Sequence, residues 1–189
     1  LNRRLDRGNS NADIRHRLVY SWIYELPYGE GKRWGNRKDL ANWIVGGWQV
    51  NGITTLQTGL PFTVGEAASL LNTGGGNRAD RLGKGALSDP TPNRWFDTAA
   101  FGAPAQYAFG TAGRNILYGP GQFNFDFSLF KNIRMGESRN LQFRSEFFNL
   151  FNHPQFGLPA ATRGAGGFGQ ISSLVADMRQ IQFSLKFLF

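Results

Sequence analysis

The stretch QFNFDFSLFKNIRMGESRNLQFRSEFFNL, residues 122–150, decides how the rest of the chain is read. Phe123, Phe125, Phe127 and Leu129 alternate with Asn124, Asp126 and Ser128; beyond the turn MGESRN, Leu141, Phe143, Ser145 and Phe147 alternate with Gln142, Arg144 and Glu146. Successive side chains of a strand point to opposite faces, so this period of two predicts strands at 122–133 and 141–150, joined as a hairpin.

The same period recurs on both sides. Upstream, residues 14–26 place His16, Leu18, Tyr20, Trp22, Tyr24 and Leu26 against Arg15, Arg17, Ser21 and Glu25. Residues 44–58 place Trp48, Val50, Thr54 and Leu56 against Gly47, Gln49, Asn51, Thr55 and Gln57, with Gly46, Gly47 and Gly52 marking tight bends or close backbone approach. Downstream, residues 178–189 set Ile181, Phe183, Leu185, Phe187 and Phe189 against Gln180, Gln182, Ser184 and Lys186. Between strands one and two lies a connection with a solvated basic cluster, Lys32, Arg33, Arg37 and Lys38. Residues 59–121 and 151–177 are rich in Gly, Pro, Asn and Asp without lasting periodicity, and read as long loops.

Alternation alone fits a soluble sandwich as well as a membrane barrel. Strand length favours the barrel: a tilted crossing needs about 9–11 residues, whereas strands of globular proteins have a mode of about 5–6. Connection length favours it too, because turns that are short or moderate after strands three and one, and long after strands two and four, match periplasmic turns and extracellular loops. With the last residue at the periplasmic rim, every long loop falls outside. The expected fold is therefore all-β, an antiparallel transmembrane β-barrel segment of about five long strands with long extracellular loops. It is an incomplete barrel in the bacterial outer membrane, with lipid as the partner of its apolar faces. The polar faces of strands three to five are expected to line a lumen, where Asp126, Arg144, Glu146 and Lys186 pair with one another and with Gln and Asn neighbours. Tyr20, Trp22, Tyr24 and the Phe residues near strand ends suit interfacial aromatic girdles.

Composition agrees with this reading. Among 189 residues there are 25 Gly, 17 Phe and no Cys, which excludes a disulfide scaffold and thiolate metal sites. No run approaches the roughly 18 apolar residues of a membrane helix, so any crossing must be made by strands. Residues 1–13 are polar, with no Met, apolar core or cleavage pattern, so no signal peptide is expected in them and the chain is expected to be processed or a fragment. The net charge of +8 raises nucleic-acid binding. That partner is not expected, because the aromatics share faces with aliphatics rather than with Arg and Lys. His16 and His153 are far apart with no carboxylate at ligand spacing, so no metal site is expected. TGGGNRADR, residues 73–81, lacks the Lys-Ser/Thr ending of a phosphate loop and reads as a flexible extracellular loop. Asp126, Glu137, Glu146 and Asp177 accompany no nucleophile motif, so no catalytic residue, no cofactor and no enzyme activity are expected.

Five stretches, HRLVYSWIYELPYG, GGWQVNGITTLQTGLPFTV, FDFSLFKNIRM, FRSEFFNLFNHPQFG and RQIQFSLKFLF, resemble the C-terminal barrel of TonB-dependent outer-membrane receptors. The likeness is to the Oar-like group, which carries a carboxypeptidase-regulatory-like N-terminal domain; NRADR and RWFDTAAFG in the middle loop are of the same kind. The resemblance implies a receptor for active uptake, with a barrel of about 22 strands closed around a plug domain and energised by a TonB-type coupling protein. Here the plug, the coupling motif and most of the strands are expected to lie outside these residues. The last strand, with Ile181, Phe183, Leu185, Phe187 and Phe189, also resembles the terminal signal read by the outer-membrane assembly machinery.

Overall fold

A computed structural model describes residues 3–36, 40–68, 71–72, 76–136 and 138–189. Arg37, Lys38, residues 73–75 and Glu137, all singled out above, lie outside the described residues. Five long strands dominate: β1 (Arg17–Glu25), β2 (Trp48–Gln57), β3 (Gln122–Arg134), β4 (Asn140–Phe148) and β5 (Gln180–Leu188). They form one sheet in the order β1-β2-β3-β4-β5, so each strand lies beside its neighbour in sequence. The pairing is antiparallel, with Leu26 N–H donating to Trp48 O at one end of β1–β2 and Thr58 N–H to His16 O at the other. Among the described residues β1 and β5 are not paired, and the sheet does not close.

Residues 44 and 45, expected at the start of the second strand, belong instead to a short helix, α1 (Leu40–Val45). Ile44 and Val45 have the composition of strand residues. Gly47, at φ +74°, turns the chain in a conformation that glycine adopts without steric cost, and β2 begins only at Trp48. Gly52 is a different case: a Cβ there would lie 2.5 Å from Trp22 Cε2, so the glycine is the seat on which the indole packs across β1 and β2.

The chain divides into two compact units. One comprises Leu18–Leu56, Phe123–Pro154 and Asp177–Phe189, which is the sheet with its nearer connections. The other comprises Leu1–Arg17, Gln57–Gln122 and Gln155–Ala176. This second unit has a hydrophobic core of its own, built from Phe62, Val64, Ala79, Phe96, Ala100, Phe101, Ala112 and Leu117. Phe96 sits at its centre, 1% exposed, with its ring edge-on to Phe101 at 5.8 Å and to Phe168 at 5.2 Å between centroids. Strand pairs only two residues long hold the core: Pro61–Phe62 with Leu117–Tyr118, and Gly65–Glu66 between Asn77–Arg78 and Thr162–Arg163. Asn115, at φ +53°, donates from Nδ2 to Asn9 O and Asn11 Oδ1, both at 2.7 Å, and so fastens the N-terminal segment to the unit.

The pairing of Gly65–Glu66 with Thr162–Arg163 is parallel and joins the two long connections to each other. The Glu66 carboxylate is buried beside it and meets Arg163 at 3.0 Å. Removing the guanidinium would leave a buried charge without its partner. Because Arg163 is itself one-third exposed, water softens that loss, and Arg163→Ala is expected to cost about 2–3 kcal/mol. Faster proteolysis within residues 155–176 would report it, and adding Glu66→Gln should restore part of the protection.

Candidate functional site

The sheet's two faces carry the chemistry, and register assigns residues to them. Across β3–β4, Phe127 pairs with Phe147 and Leu129 with Ser145; across β4–β5, Phe147 pairs with Ile181, Ser145 with Phe183, Phe143 with Leu185 and Leu141 with Phe187. Directly paired residues share a face, so the alternate positions of three strands make one apolar surface. Phe143 stacks on Phe183 at 6.1 Å, and Phe187 on Phe189 at 6.0 Å. Ile181, Phe183, Leu185 and Phe187 are all exposed, and Phe189, just past the end of β5, is 94% exposed. Leu18, Tyr20 and Tyr24 of β1 are exposed as well. An uncovered apolar area of this extent is not the surface of a protein solvated by water alone.

The opposite face is polar over most of β3–β5, with Phe130 among its residues and Val19, Ile23 and Ile53 on its β1–β2 part, and it holds the four charged residues picked out from the sequence. Glu146 lies between Ser128 and Gln182, Arg144 between Phe130 and Ser184, and Lys186 opposite Gln142. Asp126, two residues before Ser128, is on the same side. Among the described residues no ion pair joins any two of the four. Their register explains this, since Arg144, Glu146 and Lys186 each face uncharged partners. Amide hydrogen bonds run along the face instead. Arg144 Nε donates to Gln142 Oε1 at 2.6 Å, and Gln142 Nε2 donates to Asn132 Oδ1 at 2.7 Å. The Arg144 guanidinium also lies 4.7 Å from the Phe130 ring centroid. Asp126 accepts from Asn124 Nδ2 at 2.9 Å and from Asn149 N–H at 2.8 Å, fastening the turn after β4 where Asn149 adopts φ +51°. Asn149 Nδ2 in turn donates to His153 O at 2.9 Å.

One charged residue escaped the reading of the sequence. Lys131 pairs with Phe143 and therefore lies on the apolar face, where it is only 6% exposed. Its Nζ donates to Ile44 O at 3.2 Å and to Gly46 O, and it sits 5.0 Å from the Trp48 ring centroid. Counting by two from Phe127 through Leu129 would have found it. Near the same end of the sheet a cavity of about 320 Å³ is lined by Glu25, Glu30, Lys32, Asn42, Arg134 and Asn140, among others. Glu25 and Lys32 meet at 2.6 Å, and with two acids against two bases the cavity has no net preference for an anion or a cation.

Among the described residues no helix is long and apolar enough to cross a bilayer. A strand surface with lipid-compatible residues on one face and amides and charges on the other defines a wall segment of a transmembrane β-barrel. Residues 1–182 match the family model described as an outer membrane beta barrel domain, and the chain belongs to that family. Its place is the bacterial outer membrane. No curated protein and no solved structure matches the chain.

Proposed function

We propose that the chain forms one sector of the wall of a TonB-dependent receptor that takes up a substrate across the outer membrane. The observation that carries this reading is the folded unit made by the two long connections. Loops held around a core keep a fixed surface, and a fixed surface lowers the ordering cost of binding a substrate. The resemblance of the five strand-bearing stretches to such receptors supports it further. In this reading the long connections face outward and Asp126, Arg144, Glu146 and Lys186 face the lumen. The remaining wall, the plug and the contact with a TonB-type coupling protein are supplied outside these residues. Siderophore, oligosaccharide and peptide are the substrate classes to test, and the reading assigns no catalysis, cofactor or nucleic-acid partner.

The test compares two strains, one lacking the gene that encodes this chain and one lacking the energy-coupling protein, for growth on each substrate class when it is limiting. A shared defect on one class supports uptake. A structural or adhesive barrel would use the same folded unit as a display surface. Normal growth with reduced surface attachment would favour that second reading.

Assembly gives a further expected outcome. Replacing Phe187 and Phe189 by Ser in the full-length protein removes two apolar residues from a surface that the assembly machinery would read, and should lower the amount inserted in the outer membrane. Unchanged surface levels would reduce β5 to ordinary wall.

A further inference from the structure

We infer that helix α1 is an interfacial anchor, stapled to the apolar wall by Lys131 and Trp48, whose partner is the anionic glycerophospholipid of the leaflet at the short-turn end of the sheet. Leu40, Trp43 and Ile44 are spaced one helical turn apart and share a face, and none of the six residues of α1 is buried. Leu40 and Ile44 are 79% and 74% exposed, an unusual state for apolar side chains on so short a helix unless something apolar covers them.

The covering surface is identified by continuity. Trp48 Nε1 donates to Ile44 O at 2.8 Å, and Lys131 Nζ donates to Ile44 O and Gly46 O. Lys131 lies on the lipid-facing side of β3, opposite Phe143, and Trp48 lies against it. The C-terminal end of α1 is therefore fixed to the very face that meets lipid. A lysine on that face would ordinarily have to reach out to the headgroups. Here the carbonyls at the helix end, which carry partial negative charge, accept its hydrogen bonds instead. One interaction thus shields a cation on the apolar face and holds an apolar segment at the membrane boundary, where Trp side chains are favoured.

Charge selects the lipid. Among the described residues at this end of the sheet, Lys32, Arg33, Arg134 and Arg139 stand against Glu25 and Glu30, with Lys32 already paired to Glu25, which leaves an excess of basic groups. Basic residues at the membrane boundary favour anionic headgroups. This inference rests on the membership of the barrel family and not on the transport reading, so it survives if no substrate is found.

The experiment places a nitroxide spin label at Ile44→Cys in the full-length protein, any other cysteine having been replaced, after reconstitution into phosphatidylcholine vesicles with or without phosphatidylglycerol. The expected result is greater accessibility to oxygen than to a water-soluble nickel chelate, increasing when phosphatidylglycerol is present. Lys131→Met should release the label into water, with a loss of that preference. Should Lys131→Met fail to assemble, Trp48→Phe removes the indole N–H while keeping an aromatic ring beside Lys131, and should give a smaller shift in the same direction. A label that favours nickel in both vesicle types overturns the anchor. A label in lipid that ignores phosphatidylglycerol overturns the choice of anionic lipid, and one that ignores both substitutions overturns the staple.

Discussion

Leu129→Arg should destabilise the full-length protein in a membrane by about 2–4 kcal/mol and lower the fraction that assembles, while Ser128→Arg beside it leaves assembly near the parent level. The two residues are adjacent in β3 and differ only in the face they occupy. Leu129 pairs with Ser145 on the apolar surface, and Ser128 pairs with Glu146 on the polar one. An arginine facing hydrocarbon near the bilayer midplane costs about 2–4 kcal/mol, against total stabilities of about 5–15 kcal/mol, whereas an arginine opposite a glutamate on the polar face is tolerated. The folded fraction, read from the different gel mobility of heated and unheated samples after refolding into vesicles, separates the outcomes. Equal losses at both positions would mean that register does not divide a lipid face from a lumenal one.

The second large effect belongs to the other compact unit. Phe96→Ala should destabilise that unit by about 3–5 kcal/mol, the range for truncating a fully buried aromatic. Phe62, Phe101 and Phe168 all pack against this ring. Amide hydrogen exchange should accelerate through residues 57–122 and 155–176, while the strands, which belong to a separate unit, keep their protection. Unchanged exchange in those connections would show that the ring does not organise them.

The contrast between the units also explains what the sequence could disclose. Strands of nine to thirteen residues repeat their period often enough to be read from composition, so the five strands and the division of their faces were legible. Phe62, Leu117 and Glu66 sit in strands of two residues, too short for any period to register. Their core depends on contacts between segments far apart in sequence, as between Phe62 and Phe96. Helix α1 was hidden for a related reason: Ile44 and Val45 next to Gly46, Gly47 and Trp48 have strand-like composition, and only the turn at Gly47 separates them from β2. On the polar face, residue identity gave the positions of Asp126, Arg144, Glu146 and Lys186 but not their partners. Partners follow from register, which single-strand alternation cannot supply.

The parallel pairing of Gly65–Glu66 with Thr162–Arg163 also bears on how such a protein could be altered by recombination. Each connection supplies one strand of that ladder and one member of the Glu66–Arg163 pair, so neither carries its own complete set of partners. A chimera that exchanges residues 57–122 alone would strand a buried carboxylate or its guanidinium in a foreign context. The smallest segment set that can be grafted onto another wall is therefore discontinuous: both connections together, with the N-terminal residues that Asn115 holds.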